Sequence, residues 1–235
     1  MKLKPYNKKS AYSLVLGVNN VIEVLKVNPK IVAETILSKK LEKSLVDKII
    51  ALCRKNNIEF RFDSKSIERF AYKENTYAIA IIRKFESSIK RDKTHLMLYQ
   101  INNMGNLGTI IRSTHAFNVL NLALIKPSCD IFDPKVISSS MGSFFSINFE
   151  YFTSIEEYKN KYPNNLYLFT LDGQKELKNT KFDKPFTLVF GSENHGLPKS
   201  CYFLGQTVKI EHSKGVDSLN IAISASIALY NLKIH

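Results

Sequence analysis

Short, almost wholly apolar runs separated by helical patterns constrain this chain more than any other feature. Four lie in its second half: His95–Ile101, Val119–Ile125, Asn165–Leu171 and Thr187–Phe190. Runs apolar at successive positions offer no polar face to water, so both faces of a sheet built from them must be covered. Helical spacing separates them at Asn106–Phe117 and Ser154–Lys161. A short helix is expected at Pro134–Met141 and a short extended piece at Phe144–Phe149. Pro198–Leu204 reads as a short helix and Thr207–Ile210 as a strand. This alternation predicts an α/β fold with a parallel sheet. The last pattern, Ser218–Leu232, is a helix apolar nearly all round, which needs burial against the sheet, a second copy, or both.

The first half alternates as well. Tyr12–Leu16 is a strand ending at Gly17, and a helix follows through Val18, Val21, Ile22 and Leu25. Lys30–Leu37 is a strand. Glu42–Lys55 is an amphipathic helix with Leu45, Ile49, Leu52 and Cys53 on one face. Ile58–Phe62 is a strand, Ser64–Tyr72 a short helix capped by Ser64, and Thr76–Ile82 a strand. This predicts a small α/β domain over 1–88. Glu86–Lys93 is polar and patternless and reads as a linker to a second domain over 92–235.

Charge separates the two domains. The 235 residues carry a net charge of +13, of which residues 1–93 hold +11. A basic half joined to a near-neutral half suggests that the first holds a polyanion while the second does something else. The hydrophobic share of 44% and the charged share of 23% are globular values and exclude disorder and collagen. No apolar run reaches the length of a membrane span, and the N-terminus lacks a signal-peptide core. Cys53, Cys129 and Cys201 stand far apart, so neither a disulfide framework nor a metal site is expected. A cytoplasmic protein without membrane association follows from this reading.

Three motifs carry chemistry. Asn106-Leu-Gly108-Thr-Ile-Ile-Arg112 follows a strand. Asn106 stands where a helix cap belongs. Arg112, four residues past Gly108, would present an open guanidinium near a helix N-terminus, which suits phosphate. In Gly191-Ser-Glu193-Asn-His-Gly196, a buried strand runs into glycine at the place where ligands meet backbone in open α/β sheets. A β-carbon at Gly191 would intrude on such a ligand. Glu193 can accept hydrogen bonds, and His195 lacks an acidic or nucleophilic partner nearby in sequence. Ser218-Leu219-Asn220 opens the last helix, with Asp217 or Ser218 as its cap.

In this order and spacing the three motifs resemble the SpoU/TrmH family of SPOUT methyltransferases, over about 140 residues. The N-terminal half, with Gly17-Val-Asn-Asn-Val-Ile-Glu-Val-Leu, resembles the ribosomal-protein-like substrate-binding domain that many members carry. The resemblance implies S-adenosylmethionine-dependent methylation of a ribose 2′-hydroxyl in RNA. Ribosomal RNA, of the large subunit, is the favoured substrate. Transfer RNA and a catalytically silent RNA-binding relative are the alternatives. It also implies a deep C-terminal trefoil knot and a homodimer with its sites at the subunit interface. Carried over by position, Leu171, Gly191, Ile210 and Leu219 hold the cofactor. Asn106, Arg112, Glu193, Ser218 and Asn220 line the transfer site. Two stretches depart from the family pattern. Ile210-Glu211-His212 replaces Ile-Pro-Met, so Glu211 either attracts the sulfonium or faces solvent. Lys73-Glu-Asn-Thr76 replaces a His-Gln-Gly turn.

Overall fold

The computed structural model describes residues 3–71, 75–213 and 215–234. Tyr72, expected to end a helix, and Lys73 and Glu74 of the divergent turn lie outside them. Contacts divide the chain into two compact units, Met1–Glu86 with Asp130–Ser146, and Ser87–Cys129 with Ile147–His235.

The first unit is built on β1 (Tyr12–Leu16), α1 (Val18–Val27), β2 (Val32–Leu37), α2 (Lys43–Lys55), β3 (Phe60–Phe62), α3 (Ser64–Phe70) and β4 (Ala78–Arg83). Its four strands run in the order β1-β4-β2-β3. Only β2 and β3 pair in parallel. Ala78 to Ile82 of β4 are buried throughout, as an inner strand between two neighbours demands. Pro29–Ile31 is a single 3-10 turn, so β2 starts two residues after the expected Lys30. Asp63 caps α3 by accepting from the Ser66 N–H at 3.0 Å; the expected cap, Ser64, is instead the first helical residue. Aspartate one residue earlier competes successfully because its carboxylate reaches the same N–H.

Residues 130–146 belong to this first unit, although the sequence pattern assigns them to the second. They contain α5 (Pro134–Ser139) and a 3-10 turn at Ser143–Ser146. Phe132 and Phe144 stand 5.2 and 6.0 Å from the Phe85 ring. Lys84 bonds Asp130 at 3.2 Å, with both side chains about one-seventh exposed. The burial of Ile131, Phe132, Val136, Ile137, Phe144 and Phe145 decides the membership.

The second unit holds β5 (His95–Tyr99), α4 (Met104–Ala116), β6 (Asn121–Ile125), β7 (Asn148–Phe152), α6 (Ile155–Lys161), β8 (Asn165–Phe169), β9 (Lys175–Glu176), β10 (Phe186–Phe190), β11 (Gln206–Lys209) and α7 (Ile221–Ile234). The seven-stranded sheet runs β7-β6-β5-β10-β8-β11-β9, and every pairing is parallel. All residues of β6 and β10 are buried, as the apolar runs require. The extended piece expected at Phe144–Phe149 begins only at Asn148, after the 3-10 turn. The short helix expected at Pro198–Leu204 is a 3-10 helix over Lys199–Leu204. No helix among the described residues is long and apolar enough to cross a membrane.

Most of the expected linker is strapped to the amino ends of this sheet. Ile89 is buried, and its carbonyl accepts from the Tyr162 hydroxyl at 2.9 Å. The Lys90 N–H donates to Asn121 at 3.0 Å, and Asn164 donates to the Lys93 carbonyl at 3.0 Å. His95 Nε2 lies 2.7 Å from the Lys90 carbonyl, which can only accept, so that nitrogen carries the proton. Nδ1 then accepts from the Tyr158 hydroxyl at 2.6 Å. Tyr158 accepts from Thr187 at 2.6 Å, and Thr187 from Asn164 at 3.1 Å. Every member of this buried chain is satisfied, which is the condition under which polar burial is tolerated. The linker reads as patternless because its anchors are backbone groups and a distant tyrosine, histidine and asparagines.

Candidate active site

The carboxyl ends of β5, β10, β8 and β11 deliver Asn102, Gly191, Thr170 and Ile210 to one cavity of about 970 Å³. That is where open parallel sheets place their ligands, because loops diverge there and leave a crevice.

Asn103 caps α4, its side chain accepting from the Asn106 N–H at 3.0 Å. Asn106, expected as the cap, is therefore inside the first turn and its own amide is free for other partners. It donates to Glu193 Oε1 at 3.3 Å and accepts from Asn220 Nδ2 at 3.2 Å. Glu193 also accepts from the N–H groups of Asn103 at 3.2 Å and Asn102 at 3.4 Å. The positive end of α4 is thus taken by a carboxylate of the same chain, not left open for phosphate.

Asn220 caps α7, accepting from the Ala222 N–H at 2.8 Å. The helix starts at Ile221, so Ser218, Leu219 and Asn220 precede it and neither Asp217 nor Ser218 is the cap. The three motifs, distant in sequence, thereby meet in one hydrogen-bonded network of Glu193, Asn106 and Asn220. Buried Ala222, Ala225 and Ala228 let α7 approach α4 closely, and Ser113 and Ser226 share a 2.7 Å hydrogen bond between them.

Gly191 closes a tight loop in which Ser192 and Gly196 exchange backbone hydrogen bonds of 3.2 and 3.0 Å. A β-carbon on Gly191 would lie 2.1 Å from the Gly196 carbonyl carbon and 2.3 Å from the Leu197 nitrogen. It would strike the loop's own backbone, not a ligand as the sequence suggests. Leu171, Gly191, Ile210 and Leu219 all line the cavity, with Asn106, Glu193, Ser218 and Asn220. Arg112 does not. It is exposed two turns along α4, whereas Gly108 is buried, so the two do not frame an open space.

Glu211 lies outside the cavity lining and pairs with Lys178 at 2.6 Å. The Lys178 ammonium holds its carboxyl below the usual glutamate value. His212 lines the cavity, and its Nδ1 lies 2.8 Å from the Ile210 carbonyl. His195 also lines it. Sequence reasoning missed Asn103, Asp172, Tyr202 and His212. Asn103 had a signal, since it is a cap-type residue directly before the helix. The Asp172–Tyr202 pair, 30 residues apart, had none.

Residues 93–230 match the SpoU rRNA Methylase family. A protein of Synechocystis named as an uncharacterized tRNA/rRNA methyltransferase is 32% identical over 142 residues, covering 59% of this chain and 52% of that one. A 23S rRNA (uridine(2479)-2′-O)-methyltransferase of Streptomyces viridochromogenes is 28% identical over 151 residues, 60% of this chain and 53% of that one. The matches span about half the length of these curated relatives. The crystal structure of the SpoU methyltransferase AviRb from Streptomyces viridochromogenes, in complex with the cofactor AdoMet, has a TM-score of 0.84. It covers 96% of this chain and 92% of that one at 22% identity, a likeness of fold.

Proposed function

Since the chain belongs to the SpoU rRNA Methylase family, we propose that it methylates a ribose 2′-hydroxyl of RNA with S-adenosylmethionine. Large-subunit ribosomal RNA is the substrate in this reading, the substrate class for which the Streptomyces relative is named. The observation that carries it is the meeting of Glu193, Asn106 and Asn220 at the strand ends beside Gly191.

The cavity suits this cofactor. Among its described lining residues there is no lysine or arginine, while Glu193 and Asp172 supply negative charge. A cationic sulfonium is favoured there. Phe169 and Phe190 stack at 4.4 Å and give an apolar wall for an aromatic base. Leu171, Gly191, Ile210 and Leu219 would hold the cofactor. When bound, the cofactor supplies a methyl group that is already electrophilic.

The protein's part is then alignment and charge. The Glu193 carboxylate fixes the Asn106 amide, which in turn fixes that of Asn220, so the site is organised before substrate arrives. Ser218 is exposed on the cavity and can meet the ribose hydroxyl. Arginine scarcely deprotonates in proteins, so Arg112 clamps an RNA phosphate and steadies the developing alkoxide, without acting as base.

A homodimer completes the reading. Ile223, Ile227 and Tyr230 of α7 are exposed beside a groove of about 450 Å³. A two-fold interface over α4 and α7 would cover them and bring Arg112 to the partner's cavity. Ile110 and Ile111, by contrast, are already buried within the chain and add nothing to it. The basic residues of 1–93 hold the RNA, and the segment from β10 to α7 forms the knot. A cytoplasmic location belongs to the same proposal.

Transfer of labelled methyl to ribosomal RNA tests the reading, with the product mapped as a ribose position resistant to alkaline cleavage. Arg112→Ala should leave S-adenosylhomocysteine binding unchanged and cut transfer by about 100-fold or more. No transfer to any ribosomal or transfer RNA would refute the function. Loss of cofactor binding in Arg112→Ala would refute the role of the arginine.

A further inference from the structure

Asp172 lies three residues past the end of β8, and its Oδ1 accepts from the Tyr202 hydroxyl at 3.1 Å. Both residues line the cavity, yet no motif includes them. Burial acts to raise the Asp172 carboxyl, but the hydrogen bonds from Tyr202 and its own backbone N–H outweigh that and hold it below the ordinary value. The group is therefore an anion with acceptor capacity only, and it needs donors. Tyr202 satisfies one oxygen. Asp172 is exposed on the cavity, so its carboxylate can accept further donors there.

Position along the sheet says which donors. Neighbouring strands lie about 4.8 Å apart. Asn106 follows β5, Glu193 follows β10, and Asp172 follows β8, in the spatial order β5-β10-β8. Asp172 is thus roughly 10 Å from the β5 end, where the catalytic asparagine and glutamate meet. Its neighbours are the apolar Leu171, which is 66% exposed, Phe169 and the Tyr202 ring. A flat apolar base belongs beside these, and its attached sugar beside the carboxylate. One carboxylate can accept from two adjacent hydroxyls, as acidic residues do for ribose in other parallel-sheet nucleotide sites.

Resting on the function proposed above, we propose that Asp172 binds the ribose hydroxyls of the cofactor, and that Tyr202 orients its carboxylate. Asp172 is then a binding residue and Tyr202 a positioning residue. The carboxylate also distinguishes a ribose from a deoxyribose or a phosphorylated sugar, the latter being repelled.

Calorimetric titration with S-adenosylhomocysteine, its 2′-deoxy form and its deamino form tests this on the full chain. The wild-type protein must bind S-adenosylhomocysteine; failure there sinks the methyltransferase reading itself. Asp172→Asn, nearly isosteric, should weaken S-adenosylhomocysteine by about 10- to 100-fold, the worth of a charged hydrogen bond. For the 2′-deoxy ligand the same substitution should cost less, because one of the two partner hydroxyls is gone. Tyr202→Phe should weaken S-adenosylhomocysteine by about threefold or more and cost the 2′-deoxy ligand less in the same way. Equal losses for both ligands, or none for either, would overturn the proposal. Coupling to the deamino ligand instead would overturn it too, by assigning Asp172 to the amino group.

Discussion

Gly191→Ala adds one methyl group where the structure leaves no room for it. The new carbon would sit 2.1 Å from the Gly196 carbonyl carbon, against an ordinary contact of 3.4 Å or more. The 192–197 loop must therefore retreat by about 1.3 Å. Backbone cannot rotate away as a long side chain can, so the retreat strains the Ser192–Gly196 pair. It also pulls Glu193 from Asn102 and Asn103, whose bonds are already long at 3.4 and 3.2 Å. Overpacking of this kind costs about 1–3 kcal/mol. For a chain of this size each kcal/mol lowers the melting temperature by about 2–4 °C, so a drop of about 2–12 °C is expected. S-adenosylhomocysteine affinity should fall at least about tenfold, since the cavity wall itself has moved. Gly215→Ala is the control, because a β-carbon there meets nothing within 4 Å. Calorimetric melting and titration of both variants decide the matter. A Gly191→Ala protein that melts within about 1 °C of wild type and binds equally well would refute the steric argument.

Three further outcomes are expected. Burial lowers the His95 pKa, with only partial opposition from the Lys90 carbonyl and Glu150. The unfolded chain then binds the extra proton more readily, so this stability is present above about pH 6.5 and is lost as the pH falls below it. Melting temperature should decline from pH 7 to 5.5 more steeply in wild type than in His95→Gln, and parallel profiles would count against the buried network. A fragment of 92–235 should aggregate or bind a hydrophobic dye, because Ile131, Phe132, Val136, Ile137, Phe144 and Phe145 lose their burial in the first unit. A well-folded, dye-free fragment would show that the 130–146 segment packs elsewhere. Ile227→Arg should yield a monomer by light scattering at micromolar concentration while its helix stays intact, and an unchanged dimer would move the interface away from α7.

Local pattern was enough for most elements. Tyr12–Leu16 is the same five residues in the sequence reading and in β1. The apolar runs at 95–101, 119–125, 165–171 and 187–190 each hold a strand of a wholly parallel sheet, shifted or shortened by one to two residues at an end. Burial on both faces leaves few other arrangements for such runs. Caps were less legible. Asp63, Asn103 and Asn220 cap the helices for which the sequence reading named Ser64, Asn106, and Asp217 or Ser218. Several cap-type side chains lie within about three residues of each helix start, and propensity does not rank them.

What the sequence determined by itself is chemistry that travels with short spacing: glycine at a strand end, an amide before a helix, a net charge of +11 confined to residues 1–93. What only the tertiary structure decided is who meets whom. Glu193 and Asn106 stand 87 residues apart, and Asn106 and Asn220 stand 114 apart, yet each pair shares a hydrogen bond. Phe132 and Phe144 leave their sequence neighbours to pack on Phe85. Asp172 finds Tyr202, and Arg112 is turned away from the cavity it was expected to line. Periodicity encodes which face of an element is apolar. It carries no information on which distant element will cover that face, because many partners offer the same buried area and shape complementarity chooses among them.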